Sequence, residues 1–306
     1  MDRYASLFRE LSRTCPDLEL RAEEPMSRHT TFQIGGPADR FAAVETLPQL
    51  KALLQALEFQ GLPYLVLGKG SNLLVSDKGI RGAVLLLSGE FKAVTLLEDG
   101  LVRAGAGASL ASVCRFAQEH SLTGLEFAWG IPGSVGGAAY MDAGAYGGEM
   151  KDVVERVRHL TPAGEEGEAA GEALQFAYRK SRYTGGRDII TFVEYRLAPG
   201  DPAQISAQME DLMARRKSKQ PYDMPSAGSV FKRPEGYYAA ALIEECGLKG
   251  RRVGGAQVSE KHAGFIVNTG GATCQDVLGL IEEIQREVFA QKGVRLETEV
   301  RVTGEA

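Results

Sequence analysis

An apolar strand runs directly into a glycine turn in Leu65-Val66-Leu67-Gly68-Lys69-Gly70-Ser71-Asn72. A turn of this kind exposes successive backbone N–H groups and binds a diphosphate, with Ser71 and Asn72 as further donors. It is not a Rossmann fingerprint, because Leu73 stands in place of the third glycine. It is not a Walker A loop either, because no Gly-Lys-Ser/Thr occurs. Taken alone, a Gly-x-Gly sequence more often marks an ordinary tight turn.

A second glycine-rich segment follows further along the chain, in Gly130-Ile131-Pro132-Gly133-Ser134-Val135-Gly136-Gly137-Ala138-Ala139. The small-residue composition continues through Met141-Asp142-Ala143-Gly144-Ala145-Tyr146-Gly147. Residues this small allow a backbone to pack directly against a flat ring or a phosphate. A tightly packed core turn has the same composition, so the residues alone leave both interpretations open.

The overall composition is that of an ordinary globular protein. The chain has 306 residues, of which 44% are hydrophobic and 25% charged, and this length predicts two or three domains. A net charge of -5 argues against a general nucleic-acid binder, which needs a basic face, but is compatible with a local basic pocket. No apolar run approaches the length of a membrane span, so we expect no membrane insertion. The N-terminal sequence Met1-Asp2-Arg3-Tyr4 does not begin an apolar h-region, so we expect no signal peptide.

The four cysteines, Cys15, Cys114, Cys246 and Cys274, are widely scattered. They form no Cys-x-x-Cys pair and no ligand cluster with the four histidines, so we expect neither a disulfide framework nor a metal site. A reducing, cytoplasmic location fits this pattern best.

The apolar periodicity predicts an α+β protein. In the first two thirds it predicts a helix through Leu7, Leu11 and Cys15, a helix over Leu47–Leu57 and a helix from the N-cap Ser109 to about His120. Strands are predicted at Tyr64–Leu67, Leu73–Val75, Ala83–Leu87, Val153–Leu160 and Ile189–Leu197, with a hairpin around Glu98-Asp99-Gly100 and a surface excursion over 161–173.

The last third begins after the turn signal Pro199-Gly200-Asp201-Pro202. Three helices are predicted there: one carrying Ile205, Met209, Leu212 and Met213, one over Tyr237–Cys246, and one from Thr273 to Gly293. A closing strand is predicted from the alternation of apolar and charged residues over Val294–Val302.

Six motifs stand in one order along the chain: Thr30-Thr31-Phe32-Gln33-Ile34-Gly35-Gly36, Leu67–Leu74, Gly130–Ala138, Tyr178-Arg179-Lys180-Ser181, Pro225–Pro234 and Leu296–Arg301. Together they resemble the UDP-N-acetylenolpyruvoylglucosamine reductases, or UDP-N-acetylmuramate dehydrogenases, of bacterial cell-wall synthesis. The resemblance covers nearly the whole chain. Each motif alone is modest evidence, whereas six in the same order are strong evidence.

This resemblance implies a two-subdomain FAD-binding fold of the vanillyl-alcohol oxidase type plus a C-terminal α+β substrate-binding domain. The chain is similar to the shorter type of the family, which lacks an inserted substrate-capping loop. We expect the first FAD-binding subdomain over 1–88, the second over 89–199 and the substrate-binding domain over 200–306.

The resemblance also implies which residues bind the FAD. They are Gly68, Lys69, Gly70, Ser71, Asn72, Ile131, Pro132, Gly133, Ser134, Gly136, Gly137, Ala143 and Gly144. Relatives of this fold often attach flavin covalently through a His or Cys, and the first turn has neither, so we expect noncovalent FAD. Two residues depart from the family pattern: Gln33 replaces a common Arg, and Asp142 replaces the usual Asn.

The reaction implied is the NADPH-dependent, FAD-mediated reduction of UDP-N-acetylglucosamine enolpyruvate to UDP-N-acetylmuramate. By resemblance, Arg179 binds the carboxylate and stabilises the developing charge, Ser229 donates the proton and Glu299 assists. Tyr178, Lys219, Arg233 and His262 are the expected substrate contacts, with the two cations facing the diphosphate. We expect a monomer with no nucleic-acid partner.

Each catalytic candidate also has a structural interpretation when taken alone. Arg179 is part of a basic run, Ser229 follows Gly228 in a turn, and Glu299 lies where a cross-strand charge pair is expected. Two alternatives to the reductase are another FAD oxidoreductase of the same fold and a non-catalytic nucleotide-sugar sensor. The joint presence of Arg179, Ser229 and Glu299 in their motifs argues against both.

Overall fold

The computed structural model describes residues 3–305, so Met1, Asp2 and Ala306 lie outside the described residues. The chain forms two compact units, each assembled from three segments. The first unit consists of 1–21, 40–69 and 82–214, and the second of 22–39, 70–81 and 215–306.

Four helices and two sheets make up most of the first unit. Its helices are α1 (Arg3–Thr14), α2 (Leu47–Phe59), α3 (Leu110–Glu119) and α4 (Val135–Tyr140), followed by most of α5 (Pro202–Lys219). Four strands pair in the order β1-β2-β5-β3, where β1 is Glu19–Pro25, β2 is Pro37–Val44, β3 is Tyr64–Leu67 and β5 is Ile80–Leu87. In this sheet β3 runs parallel to β5, with Tyr64 opposite Ala83.

The larger sheet of the first unit is antiparallel and has the order β12-β11-β13-β7-β6. Its strands are β6 (Val94–Leu96), β7 (Leu101–Gly105), β11 (Val154–Leu160), β12 (Glu166–Ala170) and β13 (Ile189–Arg196). Two short pairs complete the unit: β8 (Leu122–Thr123) with β14 (Ala198–Pro199), and β9 (Gly144–Ala145) with β10 (Gly148–Glu149). Strand β13 lies at the centre of the five and pairs with both β11 and β7.

Local sequence signals fix where the helices of this unit begin. The Thr46 hydroxyl accepts a hydrogen bond from the Gln49 N–H, and the Gln49 side-chain oxygen accepts one from the Thr46 N–H, which forms a capping box at α2. Ser109 caps α3 in the predicted way by accepting from the Ser112 N–H at 3.0 Å. The leucines of α2 predicted to share one face, Leu50, Leu53, Leu54 and Leu57, are all buried in the core of the unit.

The second unit is an antiparallel sheet with two helices and one short parallel pair. The sheet has the order β15-β18-β17-β16, with β15 at Ser226–Ser229, β16 at Arg252–Val253, β17 at Ala256–Val258 and β18 at Phe265–Asn268. The helices are α6 (Ala239–Glu245) and α7 (Cys274–Lys292), and β4 (Leu73–Val75) pairs in parallel with β19 (Arg301–Thr303). The unit has its own hydrophobic core, to which Phe32, Leu74 and Val230 belong together with the buried face of α7.

Three sequence predictions are corrected by these strands. Part of the surface excursion predicted over 161–173 is an edge strand, β12. Its residue Ala169 pairs with Val157 of β11 and is buried. Of the strand predicted over Val294–Val302, only the end belongs to a β-ladder, in β19. An isolated bridge joins Thr298 to Phe231, and Val302 is half exposed. Strand β1 forms over Glu19–Pro25, where the apolar periodicity predicts no strand.

Among residues 3–305, no helix is long and apolar enough to cross a membrane. The four cysteines are free thiols. The same residues contain no group of three or more His, Cys, Asp or Glu side chains that could hold a metal ion.

Candidate active site

The first glycine turn begins where β3 ends, and both of its glycines lie close against neighbouring segments of the chain. A Cβ atom on Gly68 would overlap the Ser134 hydroxyl, so the two glycine-rich turns touch within the first unit. Gly70 has φ +60°, and a Cβ there would overlap the His29 carbonyl oxygen. The division between the two units falls between Lys69 and Gly70.

The backbone of this turn offers donors of the predicted kind. The N–H groups of Lys69, Gly70 and Ser71 donate to no acceptor in the described part of the chain. Successive N–H groups in a turn form an anion-binding concavity. The donor set therefore suits a diphosphate.

The second turn leads into α4, and Ser134 caps that helix by accepting from the Gly137 N–H at 3.2 Å. Protein packing requires the glycine at position 136, where a Cβ would lie 2.8 Å from the Ala106 Cβ. The situation at Gly133 differs, because a Cβ there would meet no described atom closer than 3.5 Å. Protein packing therefore does not explain the absence of a side chain at Gly133.

Ala143 and Gly144 lie beside a tight hairpin, β9 to β10, in which Gly144 pairs with Glu149. The preceding residue, Asp142, has φ 45° and is 1% exposed. Its Oδ1 accepts from the Lys151 N–H at 2.8 Å, while no described group bonds to its buried Oδ2. Burial raises the pKa of the Asp142 carboxyl above its ordinary value.

Arg179 lies in a loop that is fastened to the end of α4, directly after the second glycine turn. Ala177 and Lys180 exchange two backbone hydrogen bonds around a turn in which Arg179 has φ 57°. The Tyr140 carbonyl at the end of α4 accepts from the Ser181 hydroxyl at 2.7 Å and the Thr184 hydroxyl at 2.9 Å. The first unit thus brings the arginine loop and the second glycine turn together.

The Arg179 guanidinium also lies over the ring of Tyr178, with its central carbon 5.2 Å from the ring centroid. Tyr178 is half exposed, and Arg179 is partly buried. A left-handed conformation is uncommon for a residue with a long side chain and marks a backbone held by its surroundings. Tyr140 was not singled out by the sequence analysis, and no local pattern identifies its carbonyl as an anchor.

Ser229 and Glu299 lie on adjacent segments of the second unit. Val230, which follows Ser229, accepts hydrogen bonds from the N–H groups of Glu299 at 2.7 Å and Val300 at 3.3 Å. Just before this contact, the pairing of β15 with β18 shifts register between Ser226 and Ser229, where Gly228 has φ +74°.

Asn72 joins the same cluster in the second unit. Its side-chain amide donates to the Glu299 carbonyl at 3.2 Å, and its own carbonyl accepts from the Arg301 N–H at 3.0 Å. Thr31, from the first of the six motifs, donates its hydroxyl to the Ser226 carbonyl at 2.7 Å. The second unit therefore gathers Asn72, Ser229 and Glu299, which are far apart in sequence.

The predicted substrate contacts in the second unit have different surroundings. Lys219 is the exposed last residue of α5. The Arg233 guanidinium lies 4.1 Å above the exposed Tyr238 ring. His262 packs edge-on against Phe265 and accepts from the Gly264 N–H at 3.2 Å, and burial lowers the pKa of its imidazole.

A cavity of about 340 Å³ lies in the second unit, close along the chain to Lys219 and His262. No sequence motif predicts this cavity, because none links the two segments that form its wall. It is lined by Pro221, Tyr222, Asp223, Met224, Gln257, Ser259, Glu260, Lys261 and Val267.

Comparisons with known proteins agree with this arrangement. Residues 38–169 match the family model for an FAD binding domain, and residues 220–303 match the model for the C-terminal domain of UDP-N-acetylenolpyruvoylglucosamine reductase. The crystal structure of UDP-N-acetylenolpyruvylglucosamine reductase from Thermus caldophilus is 40% identical to this chain. It superposes with a TM-score of 0.80, covering 93% of this chain and 98% of that one. The predicted fold class is thereby confirmed.

Curated relatives match over the full length of the chain. UDP-N-acetylenolpyruvoylglucosamine reductase of Geobacillus kaustophilus is 46% identical over 307 residues, which cover 100% of both chains. The enzyme of the same name from Caldanaerobacter subterraneus subsp. tengcongensis is 49% identical over 287 residues, or 94% of each chain. With this level of identity over the full length, the chain belongs to the UDP-N-acetylenolpyruvoylglucosamine reductase family.

Proposed function

We propose that this protein catalyses the NADPH-dependent, FAD-mediated reduction of UDP-N-acetylglucosamine enolpyruvate to UDP-N-acetylmuramate, a step in peptidoglycan precursor synthesis. The observation that carries the proposal is the backbone pairing of the Ser229 and Glu299 segments through Val230, within a chain that belongs to this reductase family. Two groups assigned to proton transfer thereby come from segments that lie about 70 residues apart in sequence but are hydrogen-bonded neighbours.

The glycine turns suit FAD as a noncovalently bound cofactor. Lys69, Gly70 and Ser71 offer N–H donors for the diphosphate, and Gly133 leaves the room that a ring or phosphate needs. Gly68–Asn72 contains no His or Cys for covalent attachment. When bound, FAD is first reduced by NADPH and then supplies the hydride that reduces the alkene.

Arg179 binds the enolpyruvyl carboxylate in this proposal. A guanidinium binds a carboxylate through two parallel hydrogen bonds and remains charged at all physiological pH values. It stabilises the negative charge that spreads toward the carboxylate as the alkene is reduced. Its fixed backbone, held on Tyr140 through Ser181, means that little reorganisation is needed at that moment.

The Ser229 hydroxyl donates the proton to the carbon next to the carboxylate, and the Glu299 carboxyl assists. A serine hydroxyl is a weak acid, so the accepting carbon must be strongly basic or the proton must be relayed. Lys219 and Arg233 pair with the diphosphate of the substrate, while Tyr178 and His262 line its site. We propose that the protein works as a monomer in the cytoplasm, consistent with its four free thiols.

The proposal is tested by separating the two half-reactions of a Ser229→Ala variant. NADPH should bleach the yellow flavin at the normal rate, because Ser229 acts only after flavin reduction. Anaerobic reoxidation by UDP-N-acetylglucosamine enolpyruvate should then slow by about 10²–10⁴-fold, the usual contribution of a positioned proton donor.

The matched control is Ser218→Ala, which alters an exposed serine of α5 that bonds only to the local Arg215 carbonyl. Both half-reactions should stay normal in this variant. A colourless wild-type protein that binds the sugar nucleotide without flavin would refute the proposed reaction. Loss of bleaching and reoxidation together in Ser229→Ala would refute the role of Ser229 as proton donor.

A further inference from the structure

A buried polar cluster lies in the first unit and has no part in the proposed reaction. His159 of β11 is 5% exposed, and its Nδ1 lies 3.0 Å from the hydroxyl of Tyr183, which is 1% exposed. On the other side of the imidazole, Nε2 lies 3.5 Å from the Asp188 carboxylate. Arg182 donates to the same carboxylate at 3.3 Å.

The partners define how hydrogen bonds run through this cluster. Burial lowers the pKa of His159, so the ring is neutral at physiological pH. The Asp188 carboxylate can only accept, which favours the tautomer with hydrogen on Nε2 and leaves Nδ1 as an acceptor. The Tyr183 hydroxyl therefore donates to Nδ1, and because burial raises its pKa to about 12 it keeps that proton.

The surrounding sequence is adapted to hold an imidazole here. Gly167 of the neighbouring strand β12 pairs with His159, and a Cβ at that position would lie 2.5 Å from the imidazole Nε2. Burying a polar ring costs free energy unless its hydrogen bonds are made, whereas an apolar side chain of the same size would carry no such cost. A buried His at this position therefore points to a requirement for a defined geometry.

The partner of His159 lies on the same loop as Arg179. The loop from Ala177 to Asp188 is fastened near its start to Tyr140, through Ser181, and near its end to His159. Arg179 lies two residues before Ser181, the first of these anchors, and adopts a left-handed conformation. Such a conformation typically costs on the order of 1–3 kcal/mol and persists only where the surroundings enforce it.

We propose that His159 is a positioning residue that holds Tyr183 and Asp188, and through them the arginine loop, so that the Arg179 guanidinium is presented in one geometry. This inference rests on the proposed function of Arg179. It assigns no contact between His159 and the substrate.

His159→Phe tests the inference, since it keeps a flat ring and removes both the hydrogen bond to Tyr183 and the polar contact with Asp188. Flavin content and bleaching by NADPH should stay within about twofold of wild type. Reoxidation by saturating UDP-N-acetylglucosamine enolpyruvate should slow by about 10- to 100-fold, the effect of a displacement of about 1 Å at a reacting group. Tyr183→Phe, which deletes one hydroxyl, should show the same selective loss to a smaller extent. The matched control is His120→Phe, which makes the same change at an exposed histidine that stacks on Phe116 at the end of α3. Both half-reactions of this variant should be normal.

A double-mutant cycle separates positioning from general structural support. In an Arg179→Ala background, His159→Phe should cause no further loss in single-turnover reoxidation, because the group that it positions is gone. Equal losses in both backgrounds would overturn the inference, as would normal reoxidation in both His159→Phe and Tyr183→Phe. If His159→Phe does not fold, Tyr183→Phe carries the cycle alone. Normal reoxidation in Arg179→Ala itself would instead refute the proposed role of Arg179.

Discussion

Asp142 carries a buried carboxylate oxygen that finds no partner among the described residues, at a position where the family resemblance leads one to expect Asn. Burial raises its pKa in the folded state above the unfolded value of 3.8. The folded protein therefore binds more protons than the unfolded chain between these two pKa values, and stability falls as pH rises through that window. At neutral pH the ionised Asp142 lowers the stability of the first unit.

Asp142→Asn should consequently stabilise the protein at pH 7, by about 1–2 kcal/mol, because the amide removes a buried charge and keeps the oxygen that accepts from the Lys151 N–H. The gain should shrink as pH falls through the window between the two pKa values, because the folded state then takes up the proton that makes the buried carboxyl neutral. Urea unfolding at pH 7 and pH 4.5 measures both effects, with the exposed Asp17→Asn as the control. A gain that is equal at both pH values would contradict the electrostatic explanation.

Tyr195 presents a similar problem in the core, since it is completely buried and its hydroxyl bonds to no described group. Replacing an unsatisfied hydroxyl by hydrogen removes its desolvation cost. Tyr195→Phe should therefore raise the free energy of unfolding by about 1 kcal/mol. Tyr183→Phe makes the same change where the hydroxyl is bonded to His159, and there the free energy of unfolding should fall. Denaturant titrations of both variants provide the comparison.

At the scale of elements, α7 shows how a distant carboxylate completes a helix. Thr273 accepts from the Asp276 N–H in a local capping box, but the N–H groups of Cys274 and Gln275 donate to Asp77, at 2.8 and 3.1 Å. A carboxylate at a helix N-terminus also interacts favourably with the helix dipole.

Asp77→Ala should lower the free energy of unfolding by about 1–2 kcal/mol, because two N–H groups in the first turn of α7 lose their acceptor. Asp77→Asn keeps one carbonyl oxygen and should lose less. Chemical denaturation of the two variants at pH 7 tests the ranking. Equal losses in both would indicate that the charge, rather than the acceptor geometry, dominates.

Elements with local caps could be predicted from the sequence, and elements defined by distant partners could not. The bounds of α7 follow from Thr273 at one end and Gly293, with φ 69°, at the other. Strand β12 was missed because an edge strand of Glu, Gly and Ala has no apolar alternation, and its pairing with β11 defines it. The strand predicted over Val294–Val302 was too long because only Arg301–Thr303 finds a ladder partner, in β4.

At the scale of the whole molecule, the order of the motifs predicted the family and the fold class, both of which the comparisons confirm. The division at residues 88 and 199 and the individual site residues stay predictions. The left-handed conformation of Arg179 and its anchor on Tyr140 could not be predicted, because both depend on contacts between segments far apart in sequence.

Cofactor binding and global stability should be linked through the glycine turns. Apo protein titrated with FAD should gain about 2.7 kcal/mol of unfolding free energy when free FAD reaches 100 times its dissociation constant. Gly133→Ala should leave the apo protein close to wild type, because the new Cβ meets no described atom within 3.5 Å, yet it should weaken the gain on FAD addition.

The matched control is Gly136→Ala, in which the added Cβ would lie 2.8 Å from that of Ala106. This variant should destabilise the apo protein itself. Thermal unfolding with and without FAD distinguishes the two cases. A large loss of apo stability in Gly133→Ala would contradict the cofactor explanation for that glycine.

The pairing of Asn72 with the segment around Glu299 sets a delay during protein synthesis. The two residues are 227 positions apart, which at about 5–20 residues per second corresponds to a wait on the order of 10 to 45 s on the ribosome. Through this interval the early segments 22–39 and 70–81 have emerged without their later partners, so Phe32 and Leu74 face solvent or a chaperone instead of their core. The nascent chain is therefore most vulnerable to aggregation at side chains such as Phe32 and Leu74, which the finished protein buries completely.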